Sequence, residues 1–214
     1  MAVITVFGAT GYAGGHITTE ALERGHEVIA VNRTGSAELR PGVTPVAGSI
    51  ADEGLVRELA AKSDVLVVAV HGSADGQPFL LPLVPSLLAA AADGGARIGV
   101  VGGAGSLHVA EGGPRLIDTP EFPDAYKAEA AAHAQVLDAL RSSGTDVDWY
   151  YVSPAAEFGA WAPGERTGAF RLGGDTLLAD AEGKSFISGA DYAIAFVDEI
   201  DTPAHRRSRF TVSY

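Results

Sequence analysis

The 214-residue chain is 47% hydrophobic and 20% charged, with 27 glycines, no cysteine, and 15 Lys and Arg against 27 Asp and Glu, a formal charge of −12. Disorder is excluded, because disordered chains combine low hydrophobicity with high charge, and the acidic balance argues against nucleic acid or an anionic membrane as the main partner. The basic cluster His205-Arg206-Arg207-Ser208-Arg209 is too short to reverse this.

Without cysteine there is no disulfide framework, thiolate nucleophile or Cys-bound zinc, so redox chemistry must be borrowed from a cofactor. The six histidines show no His-x-x-x-His spacing, which argues against a metal-dependent hydrolase. The run Met1–Phe7 has no basic segment and meets Gly8 before a signal core forms, and no stretch approaches the ~20 apolar residues that span a bilayer. A cytoplasmic protein is expected.

In chain order, short β-branched runs alternate with segments of helical period, the pattern of βα units around a parallel sheet. The spacing predicts strands at 2–7, 28–31, 44–47, 65–70, 97–101 and 147–152, with helices at 13–24, 52–61, 79–92 and 124–143. Near-continuous apolar strands fit burial on both faces, and glycines at 25, 94 and 144 supply helix stops. The fold class expected is α/β, a doubly wound parallel sheet. The last 62 residues, 153–214, are richer in Gly and Pro, with short strands at 169–172 and 176–178, a helix at 191–200 and a strand at 208–213. They are too few for a separate core, so one domain is expected, with 153–214 as a small lid over the carboxyl edge of the sheet.

The first strand runs into Gly8-Ala9-Thr10-Gly11-Tyr12-Ala13-Gly14-Gly15 and then a helix. Glycines at 8, 11 and 14 allow a tight turn, close approach of amides to a diphosphate, and close packing of helix on strand, while the helix N-terminus attracts the anion. The alternative is a purely structural turn. The second strand ends in Val31-Asn32-Arg33-Thr34, where an NAD-selective site places an acid; none is present. Arg33 offers a guanidinium fork for a 2′-phosphate, with Thr34 and Ser36 as further donors, so NADP is preferred over NAD unless Arg33 is simply a surface arginine. Ser49 and Ile50 would flank the adenine, and Ala69, Val70 and His71 would line the path towards the ribose. His71 reads as a cofactor neighbour or loop residue more readily than as an acid or base.

Conventional short-chain dehydrogenases reduce carbonyls with a Tyr-x-x-x-Lys pair. The residues four beyond the tyrosines here are His16, Ala130, Pro154, Ala155 and Phe196, with none beyond Tyr214, so that pair is absent, and with it the usual route to carbonyl reduction or sugar epimerisation. The Gly8–Gly14 loop, Val100–Leu107, Thr119–Lys127, Val152–Ala156, and the Gly164–Gly168 and Arg171–Asp175 blocks together resemble the NAD(P)H-flavin reductases. These are atypical short-chain dehydrogenase/reductases with a Rossmann fold, distantly related to biliverdin-IXβ reductase. The resemblance extends over nearly the whole chain.

That resemblance implies hydride transfer from NADPH to a flavin (FMN or riboflavin) or another planar acceptor such as a quinone, with flavin as substrate and not a tightly bound group. It places Lys127 at the nicotinamide ribose, unless Lys127 is simply a surface lysine of its helix, Pro123 where the tyrosine would stand, Gly102 beside the cofactor, and Ser153, Pro154, Ala155 and Ala156 under the nicotinamide ring. Hydride transfer between flat rings needs no protein acid, because the proton can come from water. Ser106 and His108 are candidates to meet the second substrate, or else loop-capping and solvent-exposed residues. Trp149, Trp161, Phe158 and Phe170 are candidates for stacking, although Trp149, in a strand, fits the core better. A non-catalytic NADP-binding redox sensor is the alternative, and the expected state is a monomer or small homo-oligomer.

Overall fold

The computed structural model describes residues 1–35 and 41–214. Strands β1 (Val3–Phe7), β2 (Glu27–Asn32), β3 (Thr44–Ala47) and β4 (Val65–Val68) alternate with helices α1 (Tyr12–Glu23) and α2 (Glu53–Ala60). A two-stranded hairpin, β5 (Ser73–Ala74) and β6 (Gln77–Pro78), precedes α3 (Val84–Gly94), β7 (Arg97–Val101), α4 (Asp124–Ser142) and β8 (Trp149–Ser153). Then follow β9 (Arg171–Gly173), α5 (Gly189–Asp201) and β10 (Ser208–Ser213).

The main sheet has the order β3-β2-β1-β4-β7-β8-β10-β9, with every pairing parallel except β10 with β9. Strand order therefore reverses between β1 and β4, and the carboxyl ends of these two strands open the crevice where doubly wound sheets bind ligands.

Alternation along each strand sorts the core into two layers. Phe7, Leu66, Val68, Ile98, Val100, Trp149 and Tyr151 pack with side chains of α2, α3 and α4 on one face. Ile4, Val6, Val67, Tyr150, Val152 and Phe210 pack with α1 and α5 on the other. Both faces being covered is why the strands read as apolar runs and not as alternating ones.

Three expected elements change most: the helix expected over 79–92 becomes a 3-10 turn at Leu81–Leu83 and an α-helix only from Val84 to Gly94. β4 stops at Val68, because Ala69 and Val70 turn out into the crevice, and residues 176–178 form only a single bridge, from Thr176 to His108. The segment after β8 also divides. Its first part, with β9, carries loops across the carboxyl edge, while α5 and β10 are built into the layers: β10 continues the sheet beside β8, and α5 lies against α1.

At the amino edge of the sheet a buried ion cluster ties α5 to β7. Arg97 donates to the Glu199 carboxylate at 2.6 Å, to the Glu199 carbonyl at 2.7 Å and to the His205 carbonyl at 2.8 Å, and faces Asp148 at 3.0 Å. Burial opposes ionisation of Glu199, but hydrogen bonds from Arg97, His205 and two backbone amides hold its carboxyl below the usual range. Arg97→Met leaves a buried carboxylate without its main counter-charge and is expected to cost about 3–5 kcal/mol. Urea unfolding measures this; a loss below about 1 kcal/mol, the range of exposed pairs, would contradict the assigned role.

Candidate active site

Three glycines shape the crevice for different reasons. Gly8 has φ +88°, and a Cβ there would lie 2.2 Å from the Ala69 carbonyl oxygen; a Cβ on Gly14 would lie 2.2 Å from the Gly8 carbonyl oxygen. Both are needed to press α1 against β1 and the end of β4. A Cβ on Gly11 would stand 3.3 Å from the Gly8 carbonyl oxygen, a tight contact but much milder than those at Gly8 and Gly14. Gly11 is exposed, and α1 starts beyond it with no side-chain cap and no acidic residue in its first turn. An uncapped helix start bare of carboxylates and bordered by a small residue is a cradle for an anionic group.

From this helix start a cleft of about 680 Å³ extends, in the range of small-molecule sites. It brings together Gly11, Tyr12, Ala13, Ala69, Val70, His71, Gly102, Pro154, Ala155 and Ala156 of the expected set. Gly8 and Gly14 support the turn from behind. Gly102 lines the cleft, but what keeps it small is the Tyr151 ring, 2.0 Å from where its Cβ would stand.

The remaining expected residues lie elsewhere. Thr10, Arg33 and Thr34 are exposed, and Ser36 falls outside the described residues. The Ser49 hydroxyl accepts from the Ala51 amide, and Ile50 is buried in the core with Val56 and Leu59. Ser106 and Ser153 both accept hydrogen bonds from the buried Arg209, at 3.1 and 3.2 Å, and Arg209 also binds Asp175. These two serines anchor the end of β10; neither lines the cleft. His108 binds the Gly113 carbonyl at 2.7 Å and bridges to Thr176, which fixes a loop. Trp149 lies in the core layer beneath α2, α3 and α4, and Phe170 packs against the other layer, with α1 and α5. Trp161 and Phe158 line the cleft.

Lys127 is 50% exposed and pairs with Asp124 at 2.7 Å. Along α4 the cleft touches Tyr126, Glu129, Ala130 and His133, the i, i+3, i+4, i+7 stripe, and Lys127 stands about 100° round the helix from Tyr126. Lys127 thus sits on the expected turn of α4, beside the residues that line the cleft.

In its place the cleft carries a carboxylate–imidazole cluster that sequence reasoning missed. Glu129 accepts from the amides of Gly72 (2.8 Å) and Ser73 (2.9 Å) and from the Ser73 hydroxyl (2.6 Å), and contacts His133 Nε2 at 3.1 Å and His71 Nδ1 at 3.3 Å. Burial works against its charge, yet the hydrogen bonds from His133, Ser73 and Gly72 hold the carboxyl far below the ordinary glutamate range. The i, i+4 spacing of Glu129 and His133 was visible in the sequence; their partners 56 to 58 residues upstream were not.

The cleft is closed in from above by the loop after β8. The Tyr12 hydroxyl donates to the Pro163 carbonyl and accepts from the Gly189 amide at 2.9 Å, and its ring meets Phe158 edge-on. Asp191, in the first turn of α5, accepts from the amides of Thr167 (2.8 Å) and Gly168 (2.9 Å) and from the hydroxyls of Thr167 and Tyr214 (both 2.6 Å). Burial opposes its ionisation, but these donors hold its carboxyl below the usual range.

A parallel sheet whose switch point carries an uncapped, glycine-bordered helix start defines a nucleotide-binding protein of the Rossmann type. The chain belongs to the NAD(P)H-binding family, whose model matches residues 8–203. It is 40% identical over 212 residues to YwnB of Bacillus subtilis (strain 168), covering 98% of this chain and 97% of that one. Among solved structures it is similar to a candidate NADH-flavin reductase from Streptococcus pneumoniae TIGR4, with 33% identity, TM-score 0.84 and 100% and 99% of the two chains covered. It is also similar to a candidate epimerase from Bacteroides thetaiotaomicron, with 31% identity, TM-score 0.87 and 99% and 96% covered. Among the described residues no helix is long and apolar enough to cross a membrane.

The glycine geometry separates two variants. Gly11→Val is expected to keep the far-ultraviolet dichroism and to lower the unfolding midpoint less than Gly14→Ala does, while losing measurable NADPH binding by calorimetry. Gly14→Ala is expected to cost about 1–3 kcal/mol of stability through forced overpacking. Unchanged nucleotide affinity in Gly11→Val would mean that the loop serves packing alone.

Proposed function

We propose that this protein is an NADPH-dependent reductase that delivers hydride to a flavin or a similar planar ring such as a quinone, taken as a substrate and released. The observation that carries the reading is the single cleft joining the uncapped start of α1 to aromatic side chains at Tyr126, Phe122, Phe158 and Trp161. On this reading the first part takes the dinucleotide and the second the flat ring of the acceptor.

The amides at the start of α1 would hold the diphosphate, and Arg33 the 2′-phosphate. Support for the phosphate comes from Asn32. Its side-chain oxygen accepts from the Thr34 amide at 3.1 Å and from the Gly35 amide, so the position where NAD-selective sites place a carboxylate is neutral and spent on the turn. Gly102, Pro154 and Ala155 would provide the surface against which the nicotinamide lies. When bound, reduced nicotinamide supplies a hydride, and the acceptor's accompanying proton is drawn from water.

The chain's own task is therefore positioning and exclusion of bulk water by a largely apolar lining. Lys127, held by Asp124 on another face of α4, is left out of this machinery. Epimerisation is disfavoured, because Tyr126, the tyrosine on the cleft face of α4, is followed four residues later by Ala130 and not by lysine.

Purified protein is expected to oxidise NADPH in the presence of riboflavin or menadione well above a heat-inactivated control. Arg33→Ala is expected to weaken NADPH by about 1.5–3 kcal/mol relative to NADH, the value of a hydrogen bond between charged groups. Equal losses for both nucleotides would show that Arg33 does not read the phosphate; nucleotide binding with no turnover of any acceptor would favour a sensor.

A further inference from the structure

Charge is distributed unevenly along the cleft. At the dinucleotide end negative charge can be met by the helix start and by Arg33. The rest of the lining, residues 116–133 and 156–161, contributes three carboxylates, Glu121, Glu129 and Glu157, and among the described lining residues no Lys or Arg. The cations on neighbouring segments are paired, Lys127 with Asp124 at 2.7 Å, Arg115 with Asp118 at 2.8 Å, and Lys184 with Glu157 at 3.6 Å, so the negative charge of the lining rests chiefly on Glu121 and Glu129.

Glu129 in particular cannot shed its charge at neutral pH, because two amides, a hydroxyl and His133 are built around the ionised form. The opposite composition would be expected of a site that receives a phosphate, which is recognised by arginine, lysine or clustered amides.

Resting on the reading above, we infer that the acceptor is an uncharged planar ring without a phosphate: a phosphate-free flavin or a quinone, and not FMN or FAD. A phosphoryl group carries about −1.5 to −2 at neutral pH, and Glu129, held by its donors, together with the exposed Glu121 then acts as a selectivity device by repulsion. Tyr126, Phe122 and Trp161 offer ring faces to the isoalloxazine or quinone itself, a contact that a phosphate neither strengthens nor needs.

Riboflavin and FMN share one ring system and differ by the phosphate, so they isolate the claim. With saturating NADPH, kcat/KM for riboflavin is expected to exceed that for FMN by about tenfold at low ionic strength, the size of a like-charge penalty of roughly 1.4 kcal/mol. The ratio is expected to shrink as salt screens the repulsion. Glu121→Lys is expected to shift the ratio severalfold towards FMN, and menadione, a second uncharged ring, to be turned over in the range of riboflavin. FMN used as well as riboflavin, with a ratio indifferent to salt and to Glu121→Lys, would overturn the inference while leaving the reductase reading in place. No turnover of riboflavin, FMN or menadione would overturn that reading and this inference together.

Discussion

The contact on which the site depends is the one between Gly14 and the carbonyl of Gly8. No side chain fits there, since a Cβ would fall 2.2 Å from the oxygen, and Gly8 is equally constrained against the Ala69 carbonyl. Three backbone segments, the end of β1, the start of α1 and the end of β4, are thereby locked together at the point where strand order reverses. The first amides of α1 face the crevice because of that locking, and the absence of any cap leaves them available. A polar cap or first-turn carboxylate would have made α1 more stable in isolation and useless for anion binding.

The same helix start also sets the position of the covering loop. Tyr12 sits in the first turn of α1 and reaches, through its hydroxyl, both Pro163 and Gly189. Asp191 then gathers Thr167, Gly168 and Tyr214, and Arg166 reaches Glu20 on α1. The Gly164–Gly168 block is thus a fastener for the loop over the cleft. The Arg171–Asp175 block works alike through Asp175, which receives Arg209 at 2.6 Å and Arg141 at 2.7 Å. Ser106 and Ser153 belong to this second fastener. The motifs nearest the chemistry in sequence are in several cases structural, and the groups facing the ligand space are mostly backbone and small residues.

How much of this was legible in the sequence follows from the range of the interactions involved. Strands Arg97–Val101 and Ser208–Ser213 were readable to the residue, the first from its apolar stretch IGVV and the second from the β-branched and aromatic residues of SRFTVS, although its buried polar side chains were not foreseen. The glycine loop was readable because its chemistry is local. The fate of 189–213 was not, since nothing in that stretch states that β10 pairs with β8; the pairing is decided by the open edge β8 presents. Lys127 stands beside the cleft face of α4 and not on it, since a resemblance fixes the turn of a helix more readily than its face, and one residue amounts to about 100°. Glu129 and His133 were on the right face and went unread, because their meaning arises only when the β4–β5 connection brings His71 and Ser73 against them.

The central claim is that the amides opening α1 grip the diphosphate of a nicotinamide dinucleotide. Hydrogen exchange with and without NADPH tests it most directly. The account predicts slowed exchange at the amides of Tyr12, Ala13 and Gly14, with the amides of β9, at the far edge of the sheet, unchanged. Binding that leaves the α1 amides exchanging at their free rate, or no binding at all, would contradict it.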